Sequence, residues 1–141
     1  MAEGTAEAPI IFTGLSDDLA GSVPDDANAL WGGLILLGKA TNNNNDTGNE
    51  KNIEGIPTED ARGIYRGIAD DDNSGILTYV SVRHGGSLIG SDNEINGITF
   101  GSVGSGTTIS NIEVFSNLDD AMKLFKKGIL SPWPPIKASD N

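Results

Sequence analysis

The feature that most constrains this chain is the recurrence of short β-type segments, each fenced by residues that turn the backbone. PIIF at Pro9 to Phe12, LWGGLILLG at Leu30 to Gly38, ILTYVSV at Ile76 to Val82, NGITFGSV at Asn96 to Val103 and TTISNIEVF at Thr107 to Phe115 are rich in Ile, Val, Thr, Tyr and Phe. Gly, Asn, Asp and Ser bound them, which is the signature of strands between turns. In the third segment Ile76, Thr78, Val80 and Val82 alternate with Leu77, Tyr79, Ser81 and Arg83, and a period of two predicts opposite faces of a sheet for the two sets. The stretch from Gly38 through the asparagines at 42 to 45 is expected to loop into solvent, because its polar side chains have no obvious buried partners.

Segments this short bury their apolar side chains only by sharing a core, and 141 residues is about one domain. Leu, Ile, Val and Phe make a quarter of the chain, above the rough 20% below which disorder wins. Glycine, at 19 residues, is near twice its usual share and suits a fold with many sharp turns.

Twenty acidic residues against nine basic ones give a net charge of −11, which argues against nucleic acid as a partner because phosphate binding rests on Lys and Arg. The imbalance is uneven: residues 1–118 carry −12 and residues 119–141 carry +1. With no cysteine there is neither a disulfide nor a thiolate nucleophile. No run approaches the roughly 20 apolar residues of a membrane span, so none is expected, and MAEGTAEAP lacks the basic and apolar parts of a secretory leader.

Strand spacing alone leaves two architectures open, an antiparallel sandwich and a parallel β-solenoid. Further segments carry a resemblance: AEGTAEAPIIFTG at Ala2 to Gly14, WGGLILLGKA at Trp31 to Ala40, NIEGI at Asn52 to Ile56, DARGIYRG at Asp60 to Gly67, DDDNSGILTYVSVRHGG at Asp70 to Gly86, and the run from Asp92 to Ala121. In that order they resemble an internal stretch of a right-handed parallel β-helix domain of secreted or outer-surface proteins from Bacteroidetes-like bacteria. The resemblance covers about residues 1 to 125 and implies an all-β solenoid with long acidic loops, an extracellular or outer cell-surface setting, and open coil ends that must be capped, paired or stacked.

The C-terminal tail departs from that pattern, so residues 1–125 are expected as β-helix coils and residues 126–141 as a Pro-rich tail or cap. From Asn117 two alternatives stay open. A strand continues the coil, or a capping helix forms, with Asp119 and Asp120 in its first turn, Lys126 and Lys127 in its last and Gly128 beyond.

Acidic turns are the main chemical signal. Asp70, Asp72, Ser74 and Gly75 match the opening of a calcium loop, but Ser81 stands where a bidentate Glu would close it. A second near-match runs from Asn43 to Glu54 and begins with a neutral residue. An unconventional calcium site is therefore sought among Asp70, Asp71, Asp72, Asn73, Asp92, Asn93, Glu94, Asp119 and Asp120, against the plainer reading of solvated turn formers. GSVGSGTT at Gly101 to Thr108 lacks the lysine of a phosphate loop and reads as a turn. His84, the only histidine, reads as structural, since no Gly-x-Ser-x-Gly elbow accompanies it. Trp31, Tyr65, Tyr79 and Phe115 suit either sugar stacking or the core.

These features lead to a non-catalytic structural or adhesive surface module with no resident catalytic residues, self-associating end to end or through edge strands and stabilised by calcium. The alternative is a polysaccharide-binding or polysaccharide-lyase fragment. Many β-helix folds carry such lyases, and there Arg83 would serve as the base beside calcium held near Asp70.

Overall fold

A computed structural model describes residues 1–42, 51–90 and 93–125. Its strands in chain order are β1 (Ala2–Glu3), β2 (Ile10–Phe12), β3 (Leu34–Leu37), β4 (Lys51–Asn52), β5 (Ile64–Tyr65), β6 (Ile76–Arg83), β7 (Leu88–Gly90), β8 (Asn93–Glu94), β9 (Ile98–Gly101), β10 (Thr108–Phe115) and β11 (Met122–Phe125). Among the described residues one 3₁₀ turn spans Ala61–Gly63, with the Asp60 carboxylate accepting from the Arg62 N–H at its start.

Two parallel sheets organise the chain. In the first, β6 lies between β10 and the pair β1 and β2; in the second, β9 lies between β3 and β11. The chain visits the sheets alternately, so each circuit lays a rung beside the previous one: β1, β2 and β3, then β6 and β9, then β10 and β11. That is a parallel β-helix, and it decides against the sandwich. From the second circuit to the third the step is short, 32 residues from Val80 to Ile112 and 24 from Ile98 to Met122. From the first to the second it is 64 residues, Leu34 to Ile98, and the surplus includes the antiparallel pair β4–β5.

The alternation expected for Ile76 to Arg83 is overturned at its middle. Tyr79 has φ +49 and its neighbour across the sheet, Asn111, has φ +52, both left-handed. One residue in that conformation bends the strand and resets which side chains face inward. Leu77, Val80 and Val82 therefore enter the core from β6, and Ile109, Ile112 and Val114 pack on it from β10. At the same level the first circuit spends several residues on a turn, where Gly4 N–H donates to the Thr78 carbonyl and the Thr5 and Ala8 backbones bond each other. His84 (φ +56) and Ser116 (φ +52) repeat the stacked left-handed pair at the strand ends.

Core side chains are sealed in the middle rung: Val82 and Ile98 are 0% exposed, Val80 1% and Phe100 3%. Leu36, Phe100 and Leu124 form one column across the second sheet, yet Leu124 in the outermost rung is 36% exposed.

Two further expectations resolve here. The Gly38 to Asn42 stretch does not leave the body of the fold: Gly38 and Ala40 N–H groups donate to the Gly101 and Ser102 carbonyls, and Asn42, 4% exposed, donates to the Ser102 hydroxyl. Asn42 is thus buried by a polar partner brought from 60 residues away. Of the two alternatives after Asn117, the strand forms. The Asn117 amide donates to the Asp119 and Asp120 carbonyls, folding these residues into a turn that delivers Met122–Phe125 to β9. Residues 126–141, including Lys126, Lys127 and Gly128, lie outside the described residues, as do Asp92 and the start of the second calcium near-match.

Candidate functional site

The outer surface of the first sheet carries the richest chemistry. Val80 and Val82 face the core, so Ser81 and Arg83 project from the other side of β6, beside Glu113 and Phe115 of β10. Ser81 and Glu113 are hydrogen-bonded through Oγ and Oε2. Arg83 donates from Nε to the Ser81 hydroxyl at 2.8 Å, pairs through its terminal nitrogen with Glu113 at 3.4 Å, and lies over the Phe115 ring at 5.8 Å. Arg83 thus contacts a carboxylate, a hydroxyl and a ring at once.

Behind this cluster the chain from Thr13 to Trp31 folds against the strand ends. His84 is 4% exposed; its Nδ1 meets the Ala27 carbonyl, its Nε2 lies 3.9 Å from the Asp17 carboxylate, and its ring meets Phe115 edge-on. It is a structural side chain with its ring fixed on three sides. The Leu19 N–H and the Thr13 hydroxyl hold the Asp17 carboxyl below its usual value, with a smaller contribution from His84. Asp18 is lowered likewise by the Ser22 hydroxyl and the Ala20 N–H. Trp31 donates its indole N–H to the Arg83 carbonyl and packs on the core. These bonds fasten the long loop over one end of the sheet.

The acidic residues fall in separate places. Asp70 accepts from the Thr41 N–H and hydroxyl, while its carbonyl takes the Ser105 N–H. Asp72 accepts from the Ser74 hydroxyl, its carbonyl takes the Gly106 N–H, and Asn73 accepts from the Gly75 N–H. Asp71 is exposed beside them. This segment is bound to the turn between β9 and β10. Asn93 and Glu94 belong to the β7–β8 hairpin, and exposed Asp119 and Asp120 to the turn before β11. Among the described residues no three acidic or histidine side chains are grouped to hold a metal ion. Arg83 and Asp70 also lie at opposite ends of β6: residues 76–82 of the strand stand between them, and a strand extends by about 3.3 Å per residue. Nearness in sequence is undone by an extended backbone.

Sequence reasoning missed Glu113 and Ser81 as Arg83's partners. Their signal was the alignment of two eight-residue strands, visible only once the parallel register is known.

A family model described as the pectate-lyase like beta helix domain matches residues 1–129. The chain belongs to this family. No curated protein matches the β-helix domain, and no solved structure does. Among its described residues no helix is long and apolar enough to cross a membrane.

Proposed function

We propose that this β-helix domain is a non-catalytic structural and adhesive module of the cell exterior, with a right-handed coil, whose rungs continue from one copy to the next. The observation that carries the reading is the half-open core column: Phe100 is 3% exposed in the middle rung, whereas Leu124 in the same column is 36% exposed. An apolar column ending in solvent, beside strands with one paired edge among the described residues, is a template for another rung. Head-to-tail contacts of this kind give open filaments when the rotation does not close. Calcium acts in this reading as a counter-ion that relieves repulsion among the acidic turns of a −11 chain.

Light scattering over a concentration series, with and without calcium, tests the reading. The parent protein is expected to grow in mass with concentration, more so with calcium, while Leu124→Lys stays at the 14.7 kDa of one chain. A parent that holds 14.7 kDa throughout overturns it.

Membership of a pectate-lyase like family favours a second reading, a polysaccharide-lyase-related fragment acting through Arg83. With Arg83 paired to Glu113, the expected result on uronic-acid polymers is no rise in ultraviolet absorbance from unsaturated products. A rise that Arg83→Ala abolishes replaces the structural reading with the catalytic one.

A further inference from the structure

One corner of the coil gathers the exposed apolar side chains. In its three circuits the chain crosses from the first sheet to the second over residues 13–33, 84–97 and 116–121. Of the eight large apolar side chains exposed among the described residues, five lie there: Leu15, Leu19, Leu30, Leu88 and Leu118. Leu30 and Leu118 donate their backbone N–H groups to the His84 and Gly85 carbonyls, so they flank the middle crossing from either side. Leu30 is also set against the residue before Leu15, since a Cβ on Gly14 would stand 2.8 Å from its own. Gly85 and Gly86 carry no side chain between them, which leaves the leucines standing proud of this corner.

Exposed apolar surface rimmed by charge marks an interaction site. The same three stretches hold eight of the chain's twenty acidic residues and neither Lys nor Arg. A second copy meeting this corner with its own would set carboxylates against carboxylates, which opposes that pairing. An apolar and basic occupant complements it instead.

The chain carries such a segment. Residues 126–141, outside the described residues, hold Ile129, Leu130, Trp133 and Ile136 together with three lysines and a single aspartate. Pro132, Pro134 and Pro135 have no N–H to give to a ladder, so this stretch is unsuited to run on as a further rung and is left to dock through its side chains. Its length suffices. Extended, it reaches roughly 50 Å, whereas the way back from Phe125 to the corner is the length of β11, about 13 Å.

We propose that residues 126–141 fold back along the coil and dock on the leucine corner of their own chain, with the lysines toward its carboxylates and Trp133 and its apolar neighbours on Leu30 and Leu118. This leaves the Leu124 end free, so the docking holds whether or not copies stack end to end.

Carbodiimide coupling of the dilute full chain, which joins a lysine amine to a carboxylate in direct contact, tests it when the linked peptides are read by mass spectrometry. Lys137 is expected to link to exposed Asp25 and Asp26, more than a hundred residues away in sequence. Salt at about 1 M, where the Debye length falls to about 3 Å, is expected to remove most of this product. Leu30→Ser combined with Leu118→Ser takes away the apolar half of the corner at two exposed positions, and the same loss is expected of it. In an equal mixture of light and isotopically heavy chains, the links are expected within light and within heavy chains only. The proposal is overturned if Lys137 gives no link to Asp25 or Asp26, if it links instead to Glu113 on the outermost rung, if the links join light to heavy chains, or if the double leucine variant gives the parent's yield.

Discussion

Phe100→Ala is expected to lower the free energy of unfolding by about 3–5 kcal/mol, the usual cost of deleting a buried aromatic ring. Phe100 is 3% exposed, sits in the middle rung and joins the core cluster that includes Val80, Val82 and Ile98. Rungs lie on both sides of it, so the cavity has little freedom to collapse. Against a typical total of roughly 5–15 kcal/mol, such a loss leaves the domain close to unfolding at room temperature. Leu124→Ala removes a side chain from the same column where it is 36% exposed, and a cost of no more than about 1 kcal/mol is expected there. Urea midpoints of the two variants settle the matter. Equal losses would mean that the column is closed over Leu124 and that the half-open end assigned to this rung is wrong.

The second large effect belongs to Gly104. A Cβ on this residue would stand 2.5 Å from both the nitrogen and the carbonyl oxygen of Asp72, well inside contact distance. Backbone atoms on a segment tied down by the Ser105 and Gly106 N–H groups cannot step aside cheaply. Gly104→Ala is therefore expected to cost about 3 kcal/mol through overpacking and to detach residues 70–73 from the turn before β10. Gly21→Ala is the control: no atom lies within 4 Å of its added carbon, and only its φ of +89 opposes the change, for about 1 kcal/mol. Hydrogen exchange at the Ser105 and Gly106 amides should rise in the first variant alone. If Gly104→Ala melts no lower than Gly21→Ala, the acidic segment is not held by this close approach.

Much of the framework was legible before any coordinates. All five expected segments contain a strand, and the two longest, at 76–83 and 108–115, fall almost on their expected bounds. β-branched and aromatic residues between turn formers state a strand locally, whatever surrounds it. The facing of the third segment was not legible, because one left-handed residue at Tyr79 shifts the alternation, and a tyrosine there gives no sign of it. Nor was the fate of Asn117 to Phe125, where capping Asn, paired Asp and apolar residues satisfy helix rules as well as they satisfy a turn and a strand. The unpaired edge of β9 decided that case, since pairing four residues with it satisfies backbone groups across a sheet already formed.

The candidate sites divide in the same way. His84 was legible as structural, because a lone histidine without a nucleophile offers no catalytic chain, and the fold buries it against Ala27, Asp17 and Phe115. Arg83 was read beside Asp70, which is close in sequence, whereas the carboxylate it pairs with, Glu113, lies 30 residues on.

By itself the sequence determined the strands, the turns between them and the net negative charge, because each of these follows from residue type or from neighbours a few positions apart. Tertiary structure decided the register, the pairing of Arg83 with Glu113 and the burial of Asn42. Each of those depends on which rung lies beside which, a relation between residues 24 to 75 positions apart that no local pattern contains.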